Sequence, residues 1–93
     1  MRSIIQTDTD FCFYPECGKP ATEWHHIFGG PRRKWSERDG LVIHCCHECH
    51  FKIHNGPESK SRMDALHRLG QEKFEALLGT HDDFMKRYEK NWL

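Results

Sequence analysis

The chain has 93 residues, of which 37% are hydrophobic and 30% charged, and its 14 basic and 14 acidic side chains cancel. At this size an apolar core alone is marginal and a structural metal is a common remedy. The balanced charge excludes a uniformly basic coat for nucleic acid, no apolar run nears the roughly 18 residues of a membrane span, and the opening Met1-Arg2-Ser3-Ile4-Ile5-Gln6 has no signal-peptide apolar stretch. The expectation is one cytoplasmic α+β domain over residues 1–93, with no membrane partner.

After a polar lead-in, Cys12 and Cys17 bracket a tight turn punctuated by Pro15 and Gly18. Cys46 and Cys49 form a CxxC knuckle further on, so the chain reads CxxxxC…CxxC. Four thiolates at this spacing make a closed tetrahedral zinc site, which is structural. In a reducing compartment such pairs are more often zinc ligands than disulfides, and the count of five leaves Cys45 to packing.

Residues Ala21 to Ile27 have the β-branched and aromatic content of a short strand. Gly29, Gly30 and Pro31 break it, a loop is expected through Asp39-Gly40, and Leu41-Val42-Ile43 is a second strand. A helix then runs from about Cys46 to Asn55, stopped by Asn55-Gly56-Pro57. Residues 12–55 thus form a zinc-stapled ββα core, and residues 58–93 a helical extension. In that extension Ser59 or Ser61 is placed to cap a helix reaching about Leu78, with Met63, Leu66, Leu69, Phe74, Leu77 and Leu78 near a 3.6-residue period. Thr80 followed by Asp83 is a capping-box pattern for a last helix, whose buried stripe is Phe84, Tyr88 and Trp92.

The histidines add chemistry. His50 and His54, at i and i+4, share one face of their helix. His25 and His26 are adjacent on a strand and point to opposite faces, so only one of them can join a ligand set. His25, His50 and His54 then give three protein ligands with an open position, the arrangement of a catalytic metal. His26 is left as a base, histidine being the side chain whose unperturbed pKa lies near neutrality. Imidazole-rich ligation leans toward zinc, nickel or similar ions, whereas magnesium favours oxygen.

His25-His26-Ile27, the strand Leu41-Val42-Ile43, and Cys46-x2-Cys49-His50-x3-His54 together resemble the HNH (His-Me finger, ββα-metal) endonucleases. The pattern is similar to nuclease colicins and to small bacteriophage HNH proteins with cysteine pairs around the motif. The loop Arg33 to Leu41 and the tail Phe74 to Leu93 strengthen the phage-type likeness. The resemblance implies a ββα-metal fold and a DNA endonuclease that hydrolyses phosphodiester bonds, in a bacterial host cytoplasm if phage-encoded. It implies that His26 is the general base. It also implies that His25, His50 and His54 hold one divalent cation (Zn2+, Ni2+, Mn2+ or Mg2+) stabilising the leaving oxygen. Where families of this type often place an asparagine that holds the base, this chain has Leu41, so Asp39 or a backbone carbonyl would supply that contact.

Arg32, Arg33, Lys34 and Arg38, against Glu37 and Asp39, form a local cation excess suited to DNA backbone contacts. Trp35 is expected to anchor this loop on the core, and Lys52 to lie on the surface away from the ligand face. Two rival readings need fewer of these residues. A non-catalytic zinc-binding adaptor for nucleic acid or protein would use the four cysteines alone, and a scaffold would use both ligand sets for structural zincs.

Overall fold

Two strands, β1 (Glu23–His26) and β2 (Val42–Cys45), pair antiparallel with Glu23 opposite Cys45, Trp24 opposite His44, His25 opposite Ile43 and His26 opposite Val42. The computed structural model describes residues 1–93, and four helices complete an α+β domain: α1 (Arg33–Arg38), α2 (His47–His54), α3 (Ser59–Leu77) and α4 (His81–Tyr88). α2 follows β2 directly and packs on β1 and α3, while α4 packs on α3. No helix is long and apolar enough to cross a membrane.

The core lies where the sheet meets α2, α3 and α4. Ile27, Leu41, Ile43, Ile53, Leu66, Phe74 and Phe84 are all buried, and Phe28 packs edge-on against Phe84 and tilted against Tyr88. α3 approaches the end of β1 closely at Gly70, where an added Cβ would lie 2.9 Å from the Phe28 ring and 3.0 Å from Ile27. The cysteine turn joins the sheet by a bridge between Phe11 and Pro20, and by a bond from Phe13 N–H to the His44 carbonyl.

Several expectations change in detail. The stretch expected as a loop between the strands is ordered, with a 3-10 turn over Gly30–Arg32 followed by α1. Pro31 suits the start of such a turn because its φ is preset and it lacks an N–H. Neither Ser59 nor Ser61 caps α3: Ser59 Oγ donates to the Ile53 carbonyl, Ser61 Oγ donates to that of Glu58, and Glu58 is the N-cap residue. Leu77 and Leu78 keep the apolar period yet are exposed, because the helix ends there. The capping box of α4 is present in both directions, between Thr80 and Asp83. Trp35 is half-buried against the core.

Candidate metal centres

The cysteine turn and the start of α2 bring four sulfurs together. Those of Cys12, Cys17, Cys46 and Cys49 all lie within 4.8 Å of one another, and Cys17 Sγ is 3.5 Å from Cys46 Sγ. Tetrahedral zinc with bonds of about 2.3 Å would set neighbouring sulfurs about 3.8 Å apart. The set fits that ion, and none of the thiols is in a disulfide. Cys46 is the N-cap of α2, its Sγ accepting from the Cys49 N–H. Burial opposes ionisation of Cys46, but that amide and the neighbouring thiols outweigh it and bring its pKa down to about 7. Burial and the other sulfurs push the Cys49 thiol well up. At Cys17 the Lys19 amide favours the thiolate, yet burial and Cys46 prevail and the pKa is raised. Cys45 stands outside the set, fully buried, its thiol pushed up to about 12 by burial and then by Cys12.

The second set joins β1 to α2. Ring nitrogens of His25, His50 and His54 lie within 4.8 Å of one another, and the ring centroids are 5.2–5.4 Å apart. His25 is buried, and its Nε2 has no hydrogen-bond partner. Burial first, then His50 and His54, lowers its pKa to about 3, so the ring is neutral at physiological pH and free to ligate. His50 Nδ1 lies 2.7 Å from Glu23 Oε1 and His47 Nδ1 lies 2.7 Å from Glu23 Oε2. A carboxylate only accepts, so Nδ1 of His50 carries the hydrogen and Nε2 is left for the cluster. These bonds hold the Glu23 carboxyl below its ordinary pKa and raise that of His47. Glu23 escaped the sequence reading, although its place two residues before His25 puts both on one face of a strand.

His26 lies on the other face, its side chain 8% exposed, with Nε2 3.1 Å from Glu37 Oε1. Asp39 does not serve His26 in this arrangement. Its carboxylate accepts from Arg87 Nη1 at 2.8 and 3.0 Å and from Tyr88 Oη at 2.6 Å, tying the end of α1 to α4. No signal in the sequence separates the two carboxylates, because the choice is made by α4.

The chain matches no family model, no curated protein and no solved structure. Function therefore rests on these residues alone.

On α1, Arg33, Lys34 and Arg38 are exposed, whereas Arg32, just before it, is engaged by Glu89. Lys34 and Arg38 lie 5.7 and 5.5 Å from the centre of the Trp35 ring. Two open clefts flank Glu37, one of about 440 Å³ lined by Arg33 and Lys34 and one of about 390 Å³ lined by Arg2 and Arg38. Arg2 reaches this place because the Ile4 N–H donates to the Gly40 carbonyl and Ser3 Oγ to that of Val42. A larger cavity of about 510 Å³ between α1 and α4 contains neither histidine nor cysteine, so volume does not pick out the chemistry.

Proposed function

We propose that the chain is a metal-dependent DNA endonuclease of the HNH type, a zinc-stapled ββα-metal core buttressed by C-terminal helices. The observation that carries this reading is His25, whose Nε2 is buried without a partner and whose ring offers a nitrogen within 4.8 Å of nitrogens of His50 and His54. A buried polar atom left bare is unfavourable. A cation shared by three imidazoles removes that penalty and keeps one coordination position open, which a purely structural site would close. A divalent cation held there would supply Lewis-acid stabilisation of the phosphate and the leaving oxygen.

The chain's own residues supply the rest. His26, next to His25 in sequence but on the opposite strand face, takes the proton of the attacking water as general base. Arg33, Lys34 and Arg38 pair with backbone phosphates, fixing register without reading sequence. Cys12, Cys17, Cys46 and Cys49 hold zinc and pin the start of α2, so that its two histidines face β1.

Supercoiled plasmid DNA, incubated with the zinc-loaded protein and each divalent metal in turn, tests the reading. The parent protein should nick or linearise it, and His26→Ala should be about 100-fold slower or worse. His50→Ala and His54→Ala should be inactive yet folded. Intact plasmid under every metal would make the domain a zinc-binding adaptor. Unfolding of either helix-histidine variant would make both ions structural.

A further inference from the structure

The geometry points to Glu37 as the positioning residue of the general base, an assignment that rests on the endonuclease reading above. Glu37 is the one side chain that hydrogen-bonds the His26 ring, with Oε1 3.1 Å from Nε2. Because a carboxylate only accepts, Nε2 carries the hydrogen, and in the neutral ring Nδ1 is left with the lone pair. Nδ1 makes no hydrogen bond within the protein and is the nitrogen left to receive a proton. The tautomer of an imidazole is set by the bond its other nitrogen makes, so Glu37 selects the form of His26 that can act as a base.

A glutamate side chain that is 53% exposed would be a poor guide if its helix were loose. α1 is held on both sides of Glu37. Ser36 is fully buried, and its Oγ accepts from the Phe28 N–H at 3.1 Å and donates to the Leu41 carbonyl at 2.5 Å, bridging the chain after β1 to the chain before β2. Asp39 is clamped by Arg87 and Tyr88, and the Arg87 guanidinium lies 4.9 Å from the Trp35 ring centre. Gly40 turns the chain at φ +74°, where Ile4 packs so closely that an added Cβ would lie 3.0 Å from its side chain. Glu37 therefore projects from a fixed frame, and His26 is the only hydrogen-bond partner of its side chain. It acts through His26 and needs no contact with substrate.

Nitrogen-15 spectra of the histidine rings in zinc-loaded protein read the tautomer directly. The parent and Glu37→Gln should show His26 with hydrogen on Nε2, since an amide oxygen still accepts, whereas Glu37→Ala should show a mixture. In plasmid cleavage Glu37→Ala should lose about tenfold or more in kcat with KM within about twofold, a fraction of what a general base contributes, and Glu37→Gln should recover most of it. An unchanged ring tautomer and unchanged kcat in Glu37→Ala would overturn the assignment. Loss of zinc or of folding in that variant would also overturn it, by making Glu37 structural. If the parent cuts no DNA the endonuclease reading fails, while the ring spectra still decide whether Glu37 holds His26.

Discussion

Glu23 Oε1 lies 2.7 Å from His50 Nδ1, so the strand that carries one imidazole of the three-histidine cluster also orients a second one from α2. The same carboxylate reaches His47, so its two oxygens are both engaged. Carboxylates behind ligating histidines fix the ring and raise its basicity, and their loss typically weakens metal binding about 10- to 100-fold. Glu23→Ala should show that loss at the histidine site, measured by competition with a chromophoric chelator. Zinc at the four cysteines should be retained. Equal affinity in parent and variant would reduce the contact to a surface ion pair.

Replacing a zinc thiolate should be far more damaging than replacing its buried neighbour. Cys17→Ser should be purified with less zinc and lose the cooperative thermal transition, because metal binding and folding are coupled in small domains. Cys45→Ser, outside the set, should keep its zinc. A Cys17→Ser protein with parental zinc content and melting would remove the four-sulfur site.

Zinc uptake should also be read out in protons. With their pKa values raised, Cys17 and Cys49 are thiols at neutral pH, and both must lose a proton to bind. Zinc added to metal-free protein at pH 7 should therefore release at least two protons per ion at this site, while His25 has none to give. The unfolded chain keeps its cysteines protonated below about pH 8.5, and the zinc form binds fewer protons than it does. Stability of the zinc form thus rises with pH and is lost on acidification. A melting temperature independent of pH between 5 and 7 would contradict this.

Asp39 separates structure from chemistry. Its Arg87 and Tyr88 bonds span 48 and 49 residues of sequence, and burial together with Asp39 holds the Tyr88 hydroxyl well above its ordinary pKa. Asp39→Asn should lower stability by about 2 kcal/mol, the usual scale for a hydrogen bond to a charged group. Cleavage per folded molecule and the His26 tautomer should change far less than in Glu37→Ala, because Ser36 still ties α1 to the chain on both sides. A variant that melts normally but cuts slowly would return Asp39 to the reaction.

What could be read from sequence was local. The cysteine spacings, the i and i+4 histidines and the Thr80–Asp83 box each lie within a turn or two of chain, and each lands in the arrangement its spacing predicts. α1 was illegible because Arg-Lys-Trp-Ser-Glu-Arg has no apolar period; Ser36 and Trp35 hold it through partners elsewhere in the fold. The partners of the histidines followed the same rule. Glu37 meets His26 across 11 residues and Glu23 meets His50 across 27, distances at which spacing carries no information until the chain is folded.

α2 has eight residues, too few for a helix to persist alone, and buries a single apolar side chain, Ile53. Cys46 is its N-cap and Cys49 lies in its first turn, and His50 and His54 follow directly on the same short helix. If the four sulfurs hold an ion, a chelator that removed it would therefore let the two imidazoles drift out of reach of His25. Both clusters would lose their geometry together, and an ion held by the four sulfurs would be the domain's single point of failure even if it took no part in any chemistry.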